Sequence, residues 1–215
     1  VHACFHAESL THSFNLKKWK IVQHILSLEK DLEKSFQTTG FFTGNRIPSD
    51  YFETSGTGES DIAIHAGSYH LALKAANIEM CNIMTYSSIL PGIANRIDRP
   101  DRITHGAVLE SIMSVCNAGK GQQATAGIIY SWLYDRKDNS RFGGLVCEHE
   151  GNYDIHELER RLKASLEELY HNGYADQFIL GDPHILSESF IPRKAYGTAL
   201  TALCFTSYYH PVINA

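Results

Sequence analysis

Between residues 155 and 169 the apolar side chains Ile155, Leu158, Leu162, Leu166 and Leu169 return every three or four positions among charged neighbours, which predicts an amphipathic helix. Asp154 stands just before this run and Glu157 three residues after it, the spacing of a capping box. The same period at Tyr69, Ala72, Leu73 and Ala76 predicts a shorter helix, with Asn77 as its stop. A third helical stripe, Trp19, Val22, Ile25, Leu26, Leu32 and Phe36, lies within residues 14–36. It reads as an appendage, because Thr38 to Asp50 is rich in Gly, Thr and Asn, contains Pro48 and has the composition of a linker. The division this suggests is an N-terminal helical extension with linker over 1–48 and a main domain over 49–215.

Elsewhere branched and aromatic residues cluster in short runs. Strands are predicted at Cys81–Tyr86, Ala107–Val115, Thr125–Tyr134 and Gly143–Glu148, with extended pieces near Ile185–Ile191 and Gly197–Tyr209. An extended segment from Tyr51 runs into Thr54-Ser55-Gly56-Thr57-Gly58-Glu59-Ser60, read as a turn for its lack of side-chain bulk. The strand at 81–86 should break close to Ser87-Ser88-Ile89-Leu90-Pro91, since proline cannot donate to a ladder. Strands outnumber helices and many are adjacent in sequence, so the class is α+β with a largely antiparallel sheet.

Composition narrows the function more by exclusion than by suggestion. At 215 residues and 43% hydrophobic content the chain can bury a sizeable core. A formal net charge of −5, with no basic run longer than Lys17-Lys18, argues against a nucleic-acid partner. No stretch is long and apolar enough for a membrane helix, and the N-terminus lacks the order of a signal peptide. Five scattered cysteines without a CxxC pair read as reduced thiols of a cytoplasmic protein, and the twelve histidines show no metal-site spacing, so no metal is expected.

A Ser-Ser dipeptide says little by itself, but Ser87-Ser88 follows a strand, precedes Ile-Leu-Pro and lies downstream of the glycine-rich segment and a short helix. Further pieces accompany it in order: Gly56-Thr57-Gly58-Glu59-Ser60, Ala72-Leu73, Asn77-Ile78, Asn82-Ile83, His105-Gly106-Ala107, Gly144-Leu145-Val146-Cys147-Glu148-His149-Glu150-Gly151 and Gly197-Thr198-Ala199-Leu200-Thr201-Ala202. None is specific alone. The ordered set resembles the pyruvoyl-dependent arginine decarboxylase family over roughly residues 50 to 209.

That resemblance implies an αββα sandwich assembled as a homotrimer or a dimer of trimers, with each active site at a subunit boundary. It implies a zymogen in which Ser88 Oγ attacks the Ser87 carbonyl, exchanging an amide for an ester. Elimination and hydrolysis then leave a covalent pyruvoyl group made from Ser88. Its keto carbon would take the substrate's amine as a Schiff base and release CO2, arginine giving agmatine for polyamine biosynthesis. An unactivated serine is a poor nucleophile, so the backbone there must be strained and its carbonyl polarised by nearby donors.

By the same resemblance Glu148 is the acid that returns a proton to the substrate's α carbon, against a solvated carboxylate at a strand end as the plain alternative. On that reading Glu148→Gln keeps self-cleavage and loses turnover. Glu150 falls in the following turn and takes no role. Asn82 has two readings, a donor to the developing oxyanion or substrate carboxylate, or an amide satisfying its own strand backbone. Ser87, Ile89 and His70 are placed at the substrate. Arginine-using members carry an aspartate at the position of His70, and histidine cannot pair a guanidinium bidentately. Either another acid, Glu59 or Asp61, takes over, or the substrate is a different amino acid, or His70 is an ordinary helix surface position. A fold relative that never matures and acts as a binding partner is the rival from another class.

Overall fold

Two helices and twelve strands make up what the computed structural model describes, residues 44–212, within which Asn45–Pro211 forms one compact unit. The helix expected over 14–36 lies outside the described residues. The class is mixed α+β, mostly sheet, in agreement with the sequence pattern.

The first sheet has the strand order β3-β6-β11-β2-β5, where β2 is Asp50–Ser60, β3 Asn82–Thr85, β5 Asn95–Arg96, β6 Val108–Gly119 and β11 Tyr196–Phe205. Its long members β6, β11 and β2 pair antiparallel, while β3 and β5 are added parallel at the two edges. The second sheet runs β10-β7-β8-β4, with β4 Ile89–Pro91, β7 Ala124–Asp135, β8 Arg141–Gly151 and β10 His184–Phe190; β9 (Phe178–Leu180) pairs with the far end of β7. All of its pairings are antiparallel. The strands divide between two sheets, and most carry apolar residues on both faces.

Strand alternation explains where the core sits. Tyr51, Ile112, Leu203 and Phe205 of the first sheet meet Leu90, Ile128, Tyr130 and Val146 of the second in one buried cluster between the sheets. The intervening residues Leu200, Ala202 and Cys204 face outward and pack on Ala72 and Leu73 of helix α1 (His70–Ala75). On the opposite side Ile129, Leu133 and Leu145 pack on Leu158, Leu162 and Leu166 of α2 (Ile155–Gly173). Burying each of those leucines is worth about 1.5–3 kcal/mol.

Both helices start and stop for local reasons. The carboxylate of Asp154 accepts from the N–H of Glu157 at 2.9 Å, so the expected cap is present. Glu157 does not return the bond as a capping box would; it pairs instead with Arg160 and Arg161. A π-helical turn, Ile64–Tyr69, leads into α1, and Asn77 follows the helix at φ 57°, the left-handed conformation that ends a helix.

Three expectations are corrected. Gly56 to Ser60 is no turn: β2 runs straight through to Ser60. A Cβ on Gly58 would stand 2.2 Å from the Ser68 carbonyl oxygen and 2.4 Å from the Ala72 nitrogen, and one on Gly56 2.3 Å from the Ala72 oxygen. These glycines let α1 and the turn before it lie directly on the strand, a need the sequence cannot distinguish from a need to turn. The supposed linker contributes structure, since Ile47–Pro48 (β1) pairs with Tyr208–Tyr209 (β12). Strand β8 continues to Gly151, so Glu150 is a strand residue rather than a turn residue.

Candidate active site

The chain leaves the first sheet at the end of β3 and enters the second at β4, and Ser87-Ser88 spans that gap. Hydrogen bonds pin the span on both sides. Tyr86 N–H donates to the Ser111 carbonyl of β6 at 2.9 Å, and Val146 N–H of β8 donates to the Ser88 carbonyl at 3.2 Å. Pro91 is tolerated in β4 because this is an edge strand, paired with β8 alone. Between the two anchors the backbone bends at Ser88, and Ile89 N–H donates to the Ser87 carbonyl at 2.9 Å.

The register of β4 on β8 sets Ile89 opposite Leu145. Glu148 lies farther along β8 on the face that also carries Val146, while Cys147 between them packs toward α2. Ser88 Oγ donates to the Glu148 carboxylate, 2.7 Å from one oxygen and 2.9 Å from the other. Burial pushes the Glu148 pKa above the usual carboxylate range, and the bond from Ser88 offsets part of the shift. A carboxyl so placed can take a proton from the serine hydroxyl, and it can also hold one ready to give back. The same burial, with Glu148 as neighbour, raises the Cys147 thiol to about 11, so it stays protonated at neutral pH.

Two serines brace the strand just beyond Glu148. Ser114 of β6 donates to the His149 carbonyl, and Ser165 of α2 bonds the His149 ring Nε2, both at 2.8 Å. We did not single out either from the sequence. Their signal was a polar residue amid apolar ones, since a buried hydroxyl such as that of Ser114 has to find an acceptor. The main-chain groups of Val146 and Ile89 carry no signal, because backbone donors have no letter.

Of the residues expected at the site, the structure brings Ser87, Ser88, Ile89 and Glu148 together. Asn82, at the start of β3, donates instead to the Gly106 carbonyl at 2.9 Å across the loop before β6, a third arrangement beside the two expected. His70 is exposed at the start of α1, on the outer face of the first sheet. The replacement acids are occupied elsewhere: Glu59 accepts from the backbone N–H groups of Arg193 and Lys194, and Asp61 from that of Ala195. Among the described residues no group of His, Cys, Asp and Glu has the makings of a metal site.

The residues around Ser88 suit a prosthetic group made in place. The Ser88 side chain faces an acid, and the carbonyl of the same residue is held by a main-chain donor.

Comparison with known proteins gives the same direction. The sequence model of the family described as pyruvoyl-dependent arginine decarboxylase matches residues 50–210. The pyruvoyl-dependent arginine decarboxylase AaxB of Chlamydia abortus is 36% identical over 187 residues, covering 77% of this chain and 94% of its own. That of Chlamydia muridarum is 38% identical over 119 residues, 49% of this chain and 60% of its own, so this match spans less than two thirds of the relative. The pyruvoyl-dependent arginine decarboxylase of Methanopyrus kandleri is 28% identical over 123 residues, 57% of this chain and 75% of its own. By this match the chain belongs to the pyruvoyl-dependent arginine decarboxylase family, whose cofactor is a covalently bound pyruvoyl group.

Proposed function

We propose that this protein is a proenzyme that cuts itself between Ser87 and Ser88 and then decarboxylates an amino acid, with arginine as the first candidate. The observation that carries the proposal is the contact of Ser88 Oγ with both oxygens of Glu148, a carboxyl that burial makes more basic than usual. Glu148 takes the hydroxyl proton as Ser88 Oγ bonds to the Ser87 carbonyl carbon. The Ser87–Ser88 carbon–nitrogen bond then breaks, the nitrogen picks up a proton, and an ester joins the two residues. Loss of the Ser88 α proton and of the Ser87 carboxylate leaves dehydroalanine, which consumes one water and releases ammonia.

The pyruvoyl ketone supplies an electrophile for the substrate's α-amine and a sink for the electrons left when CO2 departs. The protein's own part is to hold and move protons. Glu148 passes the serine hydrogen on to the freed nitrogen; reprotonated from solvent in each cycle, it is then placed to give a proton to the substrate's α carbon, an effect worth about 10²–10⁴-fold. Sequence reasoning gave Glu148 only this later proton; the contact with Ser88 supports the earlier one as well.

Several finer points belong to the same proposal. Helix α1, the two sheets and α2 follow one another as in an αββα sandwich. Exposed Met84, Ile89 and Val108 at the edge nearest the serine pair are consistent with a subunit boundary there, as in the homotrimer or dimer of trimers that the family resemblance implies. Free Cys81, Cys116, Cys147 and Cys204 suit a reducing cytoplasm. Among the described residues no helix is long and apolar enough to cross a membrane.

A second reading, the same chemistry on another amino acid, is favoured by His70 and by the prior engagement of Glu59 and Asp61. Denaturing electrophoresis with intact mass tests the first step: fragments 1–87 and 88–215 should form, the second beginning with a keto group in place of its amino terminus. Release of CO2 from a panel of amino acids identifies the substrate. A chain that stays whole after long incubation would favour the rival reading of a non-catalytic fold relative.

A further inference from the structure

We propose that the main-chain N–H of Ile89 is the oxyanion donor for cleavage of the bond between residues 87 and 88; this rests on the reading of the serine pair as the self-cleavage site. A bond from the N–H of one residue to the carbonyl two before it closes a γ-turn, and here Ser88 sits at its apex. The carbonyl so engaged, that of Ser87, is the one the Ser88 hydroxyl must attack.

The strand register explains why Ile89 is free for this task. Val146 N–H bonds the Ser88 carbonyl across the Ile89–Leu145 pair, which makes that pair a non-hydrogen-bonded one. The Ile89 N–H therefore points away from β8, and its partner among the described residues is the Ser87 oxygen. Anchors at Tyr86 and at the Ser88 carbonyl keep the turn from relaxing into either sheet.

The geometry assembles three parts around one bond. Glu148 receives the proton of Ser88 Oγ, the oxygen forms a bond to the Ser87 carbon, and the carbonyl π electrons move onto the Ser87 oxygen where Ile89 N–H already points. A neutral acceptor there becomes an alkoxide, and hydrogen bonds to charged oxygen are about twice as strong as neutral ones. The gain arises as charge develops, which is what lowers a barrier. When the intermediate collapses, the oxyanion electrons re-form the carbonyl, the carbon–nitrogen bond breaks, and its electron pair stays on the Ser88 nitrogen, which takes the proton from Glu148. After elimination the Ser87 carboxylate belongs to fragment 1–87, so the bond from Ile89 N–H to the Ser87 oxygen acts in maturation.

The test removes the N–H and leaves the side chain. The full chain is made by cell-free synthesis with the α-hydroxy analogue of isoleucine at position 89, which puts an ester oxygen where the nitrogen was. The appearance of fragments 1–87 and 88–215 is timed against the all-amide chain made in parallel. Cleavage should slow by about 10²–10³-fold, the cost of one oxyanion donor. Cleavage at the parent rate would overturn the proposal. Should the ester chain fail to fold, hydrogen exchange in Ser88→Ala labelled with ¹⁵N-isoleucine decides: the Ile89 amide should be protected, and exchange at the rate of an open peptide would overturn the assignment. A parent chain that never cuts would remove the reading of the serine pair itself, whereas a parent that cuts beside an equally fast ester chain removes only the donor.

Discussion

Replacing Glu148 by Gln isolates proton transfer from every other property of the site. Glutamine has nearly the same shape, and its amide oxygen can still accept the Ser88 hydroxyl hydrogen across the present 2.7 Å. It cannot take the proton away. The loss should therefore be that of a general base, about 10²–10⁴-fold in the rate of self-cleavage, or roughly 3–5 kcal/mol of barrier at 1.36 kcal/mol per decade. Folding should not suffer, because a carboxylate whose pKa is raised by burial is replaced by a neutral group. A thermal melt no lower than that of the parent, together with a time course of fragments 1–87 and 88–215 on denaturing gels, separates the two effects. The pH dependence gives a second reading. Glu148 must be ionised to act as base, and burial holds its pKa above the usual carboxylate value of about 4.3, so the parent's cleavage rate should fall with falling pH above that value. In Glu148→Gln this acid limb should disappear. Maturation of Glu148→Gln at the parent's rate would refute the assignment of the base.

Other perturbations probe the frame and the specificity. Gly58→Ala places a Cβ against backbone atoms of Ser68, Leu71 and Ala72, which a side-chain adjustment cannot relieve; unfolding in urea should show a loss of about 1–3 kcal/mol. Leu162→Ala empties a fully buried position between α2 and the second sheet and should cost about 2–5 kcal/mol by the same measurement, with the cleavage site chemically unaltered. Asp154→Ala removes the cap of α2 and should cost about 1 kcal/mol, seen as a lower midpoint with an unchanged slope. His70→Asp should leave cleavage at the parent rate and the KM for arginine unchanged, since His70 is exposed on the outer face of the first sheet; a lowered KM would place this position at the substrate of a neighbouring subunit.

Amphipathic periods are a local property, and those elements could be read from the chain alone: α2 from its leucine stripe, α1 from Tyr69 to Ala76, and the long strands from their branched and aromatic runs. Covalent identity was legible as well, because Ser87-Ser88 and Glu148 stood inside motifs whose order pointed to the family. Tertiary structure decided the rest. Whether Gly56 and Gly58 turn the chain or admit a helix depends on what packs above them, a contact made with residues 68 to 76. Which sheet each strand joins depends on pairing over long separations, and only that pairing carries Ser88 from the edge of one sheet to Glu148 of the other, sixty positions away in the chain. The donors at Ile89 and Val146 belong to the backbone every residue shares, so their direction is fixed by register and bend and by nothing in the letters.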